Sequence, residues 1–349
     1  MRIAYLLPAE FAIGNPGNGV TAQARAQAAA MERRGHDVVY LNPWDLQLEE
    51  EIDVLHFFMG GMALYGIETG RRLPPTGLIV MSPILDTNKA HGLYRLAAHF
   101  GSLLHRMPSV PAILSAQARG SDVVICRSQH ERQRVIRSLG VSPECAAIVL
   151  NGVDSPELSP QSMSEAKQRY ELPDRFVLHV SGYTDPRKNV LRLVAAAEQL
   201  GLPLVVAGHA MPGPIANELQ ATAKRNKELR LLGFVDRRTR DALYGLCHVF
   251  CLPSYHEGTG LAALEAGSAG AHVVITRLGG TRDYFQDLAS YVSPTDVNDI
   301  RQALARAWDT PRGSALQTHI RTTLGWDASA SALERTYELA RSRKATATA

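Results

Sequence analysis

Two glutamates eight positions apart, Glu257 and Glu265, bracket the turn Gly258-Thr259-Gly260 between an apolar run and an Ala/Leu-rich helical stretch. Glycines in such a place let the backbone come close to a ligand, and the amides heading the next helix favour a phosphate or a sugar hydroxyl. A glycosidase acid/base pair needs its carboxyls ~5–9.5 Å apart across the bond to be cut. Eight helical positions would separate the two backbones by ~12 Å, and neighbours on one loop and helix do not frame a substrate from both sides. Carboxylates that accept hydrogen bonds from hydroxyls fit the spacing better. The bland counterpart is a Glu near an N-cap and a solvated helix Glu. No Asp-x-Asp pair occurs anywhere in the chain, so the usual signature of a metal-held diphosphate is missing.

The elements that must position these groups follow from the hydrophobic pattern. Short apolar runs at Arg2–Leu7, Val38–Leu41, Val54–Phe58, Leu78–Met81, Val123–Cys126 and Ala147–Leu150 read as strands, with an Ala-rich helix over Val20–Arg34 closed by Gly35. After Asn151-Gly152-Val153-Asp154 a polar stretch with Pro156 and Pro160 reads as a linker. The rhythm restarts at Phe176–Ser181, Leu204–Ala207, Leu229–Leu232, His248–Leu252 and His272–Thr276. Helices fit Val190–Leu200, Pro214–Arg225, Thr239–Leu246, Leu261–Ser268 and Asp299–Trp308. The expected architecture is α/β: two Rossmann-like domains, 1–155 and 156–325, facing each other across a cleft. A final helix, about Ala328–Arg343 within 326–349, is expected to pack back toward the first domain and to fray over Lys344–Ala349.

Composition sets the class. The 349 residues are 45% hydrophobic and 20% charged with a net charge of +3, a folded globular profile with too little basic excess to argue for nucleic acid. Cys126, Cys145, Cys247 and Cys251 form no CxxC pair and are expected as buried free thiols. No apolar run approaches the ~18 residues of a bilayer span, and the start lacks a signal-peptide pattern, so a cytoplasmic location is expected. The segment His91–Arg106 mixes Leu93, Leu96, Phe100, Leu103 and Leu104 with Arg95, His99, His105 and Arg106. It reads as an amphipathic packing helix, with a peripheral contact on the inner face of the plasma membrane as the alternative.

With its Glu, Gly-x-Gly turn and second Glu, the chain resembles the retaining GT-B glycosyltransferases of family 4, the glycosyl transferases group 1. The resemblance extends to Gly14-Asn15-Pro16-Gly17-Asn18-Gly19 before the first helix, Gly35-His36-Asp37-Val38, Asn151-Gly152-Val153-Asp154, Ser181-Gly182-Tyr183-Thr184-Asp185-Pro186-Arg187-Lys188-Asn189 and Gly279-Gly280-Thr281-Arg282-Asp283. It implies a nucleotide-sugar donor, GDP- or UDP-linked, and transfer with retention to a glycan or lipid-linked glycan in surface polysaccharide or lipopolysaccharide synthesis, in the manner of a mannosyltransferase. No cofactor and no metal are implied. In the roles it carries over, Lys188, assisted by Arg187 and the loop at Gly182, contacts the diphosphate. Glu265 holds the ribose hydroxyls. Glu257 and the backbone of Gly258, Thr259, Gly260 and Leu261 fix the transferred sugar and the phosphate, and Gly19 closes over the diphosphate from the first domain. Lys188 and Glu257 are the expected catalytic groups.

Two positions depart from the family pattern. Tyr183 stands where many relatives have an Arg, leaving one phosphate contact missing or supplied by Arg187. The stretch Ser82-Pro83-Ile84-Leu85-Asp86 has no His where many relatives carry a His-Asp pair; Asp86 or His91 could substitute, though a surface role is expected of each. His56 reads as a core histidine. The missing His keeps open a catalytically inactive, sugar-nucleotide-binding partner subunit, and a related phosphorylase or epimerase is a further alternative. A dinucleotide-dependent oxidoreductase fits poorly, because Gly14, Gly17 and Gly19 do not make G-x-G-x-x-G.

Overall fold

The computed structural model describes residues 1–8, 19–42, 51–59, 66–87, 90–103 and 109–348. The chain forms two compact units, Met1–Gly152 with Gly325–Ala349, and Val153–Leu324. Each is built on a six-stranded, wholly parallel sheet.

In the first unit β1 (Arg2–Leu6), β2 (Asp37–Tyr40), β3 (Val54–Phe58), β4 (Leu78–Ser82), β5 (Val123–Cys126) and β6 (Ala146–Ile148) lie in the order β2-β1-β3-β4-β5-β6. Every residue of β3 and β5 is buried. Helices cover both faces of such a sheet, so its inner strands read as continuous rather than alternating apolar runs. The chain leaves β2 on one side of β1 and places β3 on the other. The loops at that switch fall largely on residues 9–18 and 60–65, and Gly14–Asn18 therefore lie outside the described residues.

Helix Trp326–Thr348 completes the first unit's core. Ala330, Leu333, Tyr337 and Ala340 fall on one face at helical spacing and join Ala24, Ala28 and Met31 of helix Gly19–Arg33 in one apolar cluster. Asp327 accepts from Arg33 at 2.7 Å, and Glu334 pairs with Arg34 and with His36. The end of this helix corrects the expectation of a frayed tail from Lys344. The ammonium of Lys344 donates to the carbonyl of Gly77 at 2.7 Å and to Asp122 at 2.9 Å, which ties the last turns to the sheet.

His56 is a core histidine, wholly buried between the Tyr337 hydroxyl at 2.7 Å and Ser82 Oγ at 2.8 Å. Burial lowers its pKa to about 3. The unfolded chain, titrating near 6.5, therefore binds the extra proton first as pH falls, and acid works against the folded form. At pH 5 this single group is expected to cost the fold about 2 kcal/mol relative to pH 7. In an NMR titration the His56 ring should show no inflection between pH 5 and 8; a midpoint near 6.5 would contradict the assignment.

In the second unit β7 (Val177–Val180), β8 (Leu204–Ala207), β9 (Leu229–Gly233), β10 (Val249–Leu252), β11 (His272–Thr276) and β12 (Ser290–Val292) take the order β12-β11-β10-β7-β8-β9. Val177, Val206, Cys251 and Val274 of this sheet pack with Leu193 and Val194 of helix Val190–Leu200 and with Ile300 and Leu304 of helix Val297–Asp309. Each such side chain, fully buried, contributes ~1.5–3 kcal/mol. The stretch expected as a linker carries helix Pro160–Arg169, where Pro160 occupies the first turn and Ser159 caps the amide of Ser162 at 3.0 Å. Cys126, Cys247 and Cys251 are buried free thiols, whereas Cys145 is partly exposed at the end of the short turn Pro143–Cys145, against expectation. Among the described residues no helix is long and apolar enough to cross a membrane.

Candidate functional site

In the second sheet β7 is laid down first, β8 and β9 follow on one side, and β10 is placed on the other side of β7. Ligands in open α/β sheets settle beyond the strand ends at such a reversal. The loops there are Ser181–Asn189 after β7 and Pro253–Gly260 after β10, the two segments whose residue types carry chemistry.

The first loop is shaped from below. His179, buried in β7, bonds the Cys251 carbonyl through Nδ1 at 2.8 Å and Ser181 Oγ through Nε2 at 2.6 Å; burial lowers its pKa to about 4, so the ring is neutral at pH 7. Asp185 accepts the Arg187 amide at 2.9 Å and caps the turn Pro186–Lys188. Asn189 follows in the left-handed region, at φ 59°. Its side-chain amide donates to the carbonyls of Pro253 at 2.9 Å and Pro294 at 2.7 Å, locking the loop to its neighbours. Gly182 is exposed, with open space where a Cβ would stand.

The second loop is held by a third. Glu257 donates its amide to the Leu278 carbonyl at 3.1 Å and accepts from the Gly280 amide at 2.9 Å. Gly260 turns the chain at φ 79° into helix Leu261–Ser268, whose leading amides have no partner within the helix. Thr259 Oγ1 lies 3.3 Å from the Tyr284 hydroxyl.

The structure brings Lys188 and Glu257 together: Nζ donates to Oε1 at 2.7 Å, with both side chains largely buried. An ammonium has three donors and Glu257 takes one, so the group can still receive an anion. Arg187 reaches the His256 carbonyl at 3.4 Å and stands 3.6 Å from Asp185. It is placed on the same loop as Lys188 and remains half-exposed. Tyr183, in the position that departs from the family pattern, is buried in the sheet's core cluster. Glu265 lies on helix Leu261–Ser268, where Tyr244 donates to Oε2 at 2.9 Å and Arg240 stands 3.7 Å from Oε1. Burial pushes its carboxyl above the usual carboxylate range against the pull of Arg240. It is not the solvated helix Glu of the bland reading.

Gly19 opens helix Gly19–Arg33 in the first unit. There Asp86 is paired with Arg127 at 2.9 Å, and Arg127 with the buried Glu131 at 3.0 Å. His91 Nδ1 bonds Ser138 Oγ at 2.8 Å, with its pKa lowered by burial and by Arg134 and Arg137. Both have structural partners within the unit. The partners of Glu265, Arg240 and Tyr244, were missed in the sequence. Their spacing of four on a predicted helix puts them on one face, but nothing local says which carboxylate they meet.

Comparisons with known proteins bear on the family and the fold. Residues 162–320 match the family model for glycosyl transferases group 1. The serotype-specific mannosyltransferase WbdA of Escherichia coli is 26% identical over 309 residues, 84% of this chain and 35% of the relative. D-inositol 3-phosphate glycosyltransferase 2 of Catenulispora acidiphila is 31% identical over 242 residues, 62% of this chain and 56% of the relative. The chain thus spans about a third of the length of the WbdA relatives it matches. Among solved structures, Anabaena Alr3699/HepE in complex with UDP superposes with a TM-score of 0.73 at 18% identity, covering 97% of this chain and 100% of that one. Residues 162–320 are a glycosyl transferases group 1 domain, carried in a chain with the GT-B fold.

Proposed function

We propose that this chain transfers a hexose from a GDP- or UDP-linked donor to a glycan or lipid-linked glycan, with retention at the anomeric carbon, in surface polysaccharide synthesis. The observation that carries the reading is the buried Lys188–Glu257 pair at the strand reversal, 2.7 Å apart beside a glycine turn. Support also comes from a mannosyltransferase among the relatives and from the UDP named with a solved structure of like fold.

In this reading Lys188, with Arg187 and the amides around Gly258–Leu261, receives the donor diphosphate. These donors offset the charge that develops as the bond from the anomeric carbon to phosphate oxygen breaks. Glu257 accepts hydroxyls of the transferred sugar, and Glu265 accepts those of the ribose. The acceptor hydroxyl attacks on the face the phosphate leaves, and its proton passes to the departing phosphate oxygen. No metal is assigned a part. The helix His91–Leu103 turns Leu93 and Leu96 outward beside Arg95, which suits contact with an anionic membrane surface at the cytoplasmic face.

The test is nucleotide release from GDP-mannose, UDP-glucose and related donors, with Glu265→Ala alongside wild type. The expected result is turnover of at least one donor and at least a tenfold loss of donor affinity in the variant. Turnover that Glu265→Ala leaves untouched sinks the site. The second reading, a donor-binding subunit without chemistry, is favoured by Ser82-Pro83-Ile84-Leu85-Asp86, where no His stands. It predicts tight donor binding and no transfer to any acceptor.

A further inference from the structure

We propose that Tyr244 and Arg240 are positioning residues that hold the Glu265 carboxylate in one orientation, so that it recognises the vicinal diol of the donor's ribose. The inference rests on reading Glu265 as the ribose acceptor and adds how that acceptor is set.

A glutamate on a helix can turn its carboxylate freely, whereas two adjacent hydroxyls are best met by two oxygens held in one plane. Glu265 is held at both. The Tyr244 hydroxyl donates to Oε2 at 2.9 Å, from a ring that is wholly buried and packed edge-on against Phe250 at 5.9 Å. That ring cannot follow the carboxylate if it rotates. On the other side Arg240 stands 3.7 Å from Oε1, with its guanidinium drawn to Asp241 at 3.2 Å. Asp241 is itself buried and fixed by the Glu157 amide at 3.2 Å. The charge facing Glu265 is therefore oriented by a second carboxylate that cannot move.

Arg240 also favours the charged form of Glu265, against the burial that raises its carboxyl. An ionised carboxylate is the form that accepts from two hydroxyls. About a fifth of the Glu265 side chain stays exposed, so a ligand can reach it.

The experiment is calorimetric binding of UDP and GDP, each paired with its 2′,3′-dideoxy counterpart, to wild type, Tyr244→Phe and Arg240→Gln. Wild type is expected to prefer the ribonucleotide by about tenfold or more, the scale of a hydrogen bond to a charged group. Tyr244→Phe, which removes one oxygen, should cut that preference to about threefold and leave dideoxynucleotide affinity unchanged. The preference is a ratio within one variant, so it does not depend on the folded fraction. If Tyr244→Phe does not fold, Arg240→Gln gives the same readout. A wild type that binds neither nucleotide, or does not tell ribose from dideoxyribose, overturns the reading of Glu265 itself. A wild-type preference that both variants retain in full overturns the positioning role alone.

Discussion

Lys188→Ala is expected to lower donor turnover by about 10²–10³-fold, or ~3–4 kcal/mol of transition-state stabilisation. The argument starts from burial. Nζ and Glu257 Oε1 are 2.7 Å apart with about a tenth of each side chain exposed, so water can replace little of what the lysine supplies. As the diphosphate departs its charge grows, and a donor already aimed there needs no reorganisation. The loss should therefore fall mainly on kcat, with a smaller effect on ground-state affinity. Stability responds differently. Alone, Lys188→Ala leaves Glu257 buried without its counter-charge, a change that costs ~3–5 kcal/mol in such pairs. Adding Glu257→Ala should recover most of that stability and none of the turnover. Measuring melting temperature and kcat on both variants separates the two roles. A single variant that turns over donor at the wild-type rate would remove Lys188 from the chemistry.

How far the sequence disclosed this arrangement depended on range. Strands buried on both faces announce themselves as apolar runs, and Val54–Phe58, Val123–Cys126, Leu204–Ala207 and His272–Thr276 stand where the pattern put them. The edge strand Ser290–Val292 has only three residues, too few for a period to register. Pro160 was misread because proline breaks helices from within yet starts them at the first turn, and the capping Ser159 was the local sign. The C-terminal turns looked frayed because Lys344–Ala349 is small and polar. What orders them is contact with Gly77 and Asp122, more than two hundred residues away.

The same division holds at the site. Glu257 and Glu265 stood out by spacing around a glycine turn, and Lys188 by its place in a loop of familiar pattern. The setting of each carboxylate was not legible. Glu257 depends on a loop after β11, and Glu265 on a helix before β10. Tyr183 could be seen as a departure, but only packing shows that a tyrosine there is absorbed by the core. Motif position tells which residue stands in a loop; the neighbours it meets decide whether it turns outward.

Gly279→Ala is expected to cost the second unit about 3–5 kcal/mol and to abolish the Lys188–Glu257 geometry with it. Gly279 adopts φ 108°, which side-chain-bearing residues rarely enter, and a Cβ there would stand 2.0 Å from the Glu257 carbonyl oxygen. Both colliding partners are backbone, so no rotamer relieves the clash and one chain must move by more than 1 Å. The movement breaks the stitch that holds Glu257, its amide to Leu278 at 3.1 Å and its carbonyl from Gly280 at 2.9 Å. Two backbone hydrogen bonds at ~1 kcal/mol each and the strain of φ at ~1–3 kcal/mol make up the cost. For a unit of this size that is roughly 10 °C in melting temperature. Gly313→Ala is the control, since a Cβ there meets nothing within 4 Å and its backbone is not in the left-handed region. It should melt within about 2 °C of wild type, because surface substitutions away from such features change stability by ~0.5 kcal/mol or less. A Gly279→Ala protein that melts with wild type and binds donor with wild-type affinity would show that the turn does not set Glu257. A protein that melts early but binds donor normally would separate the turn's structural part from the site.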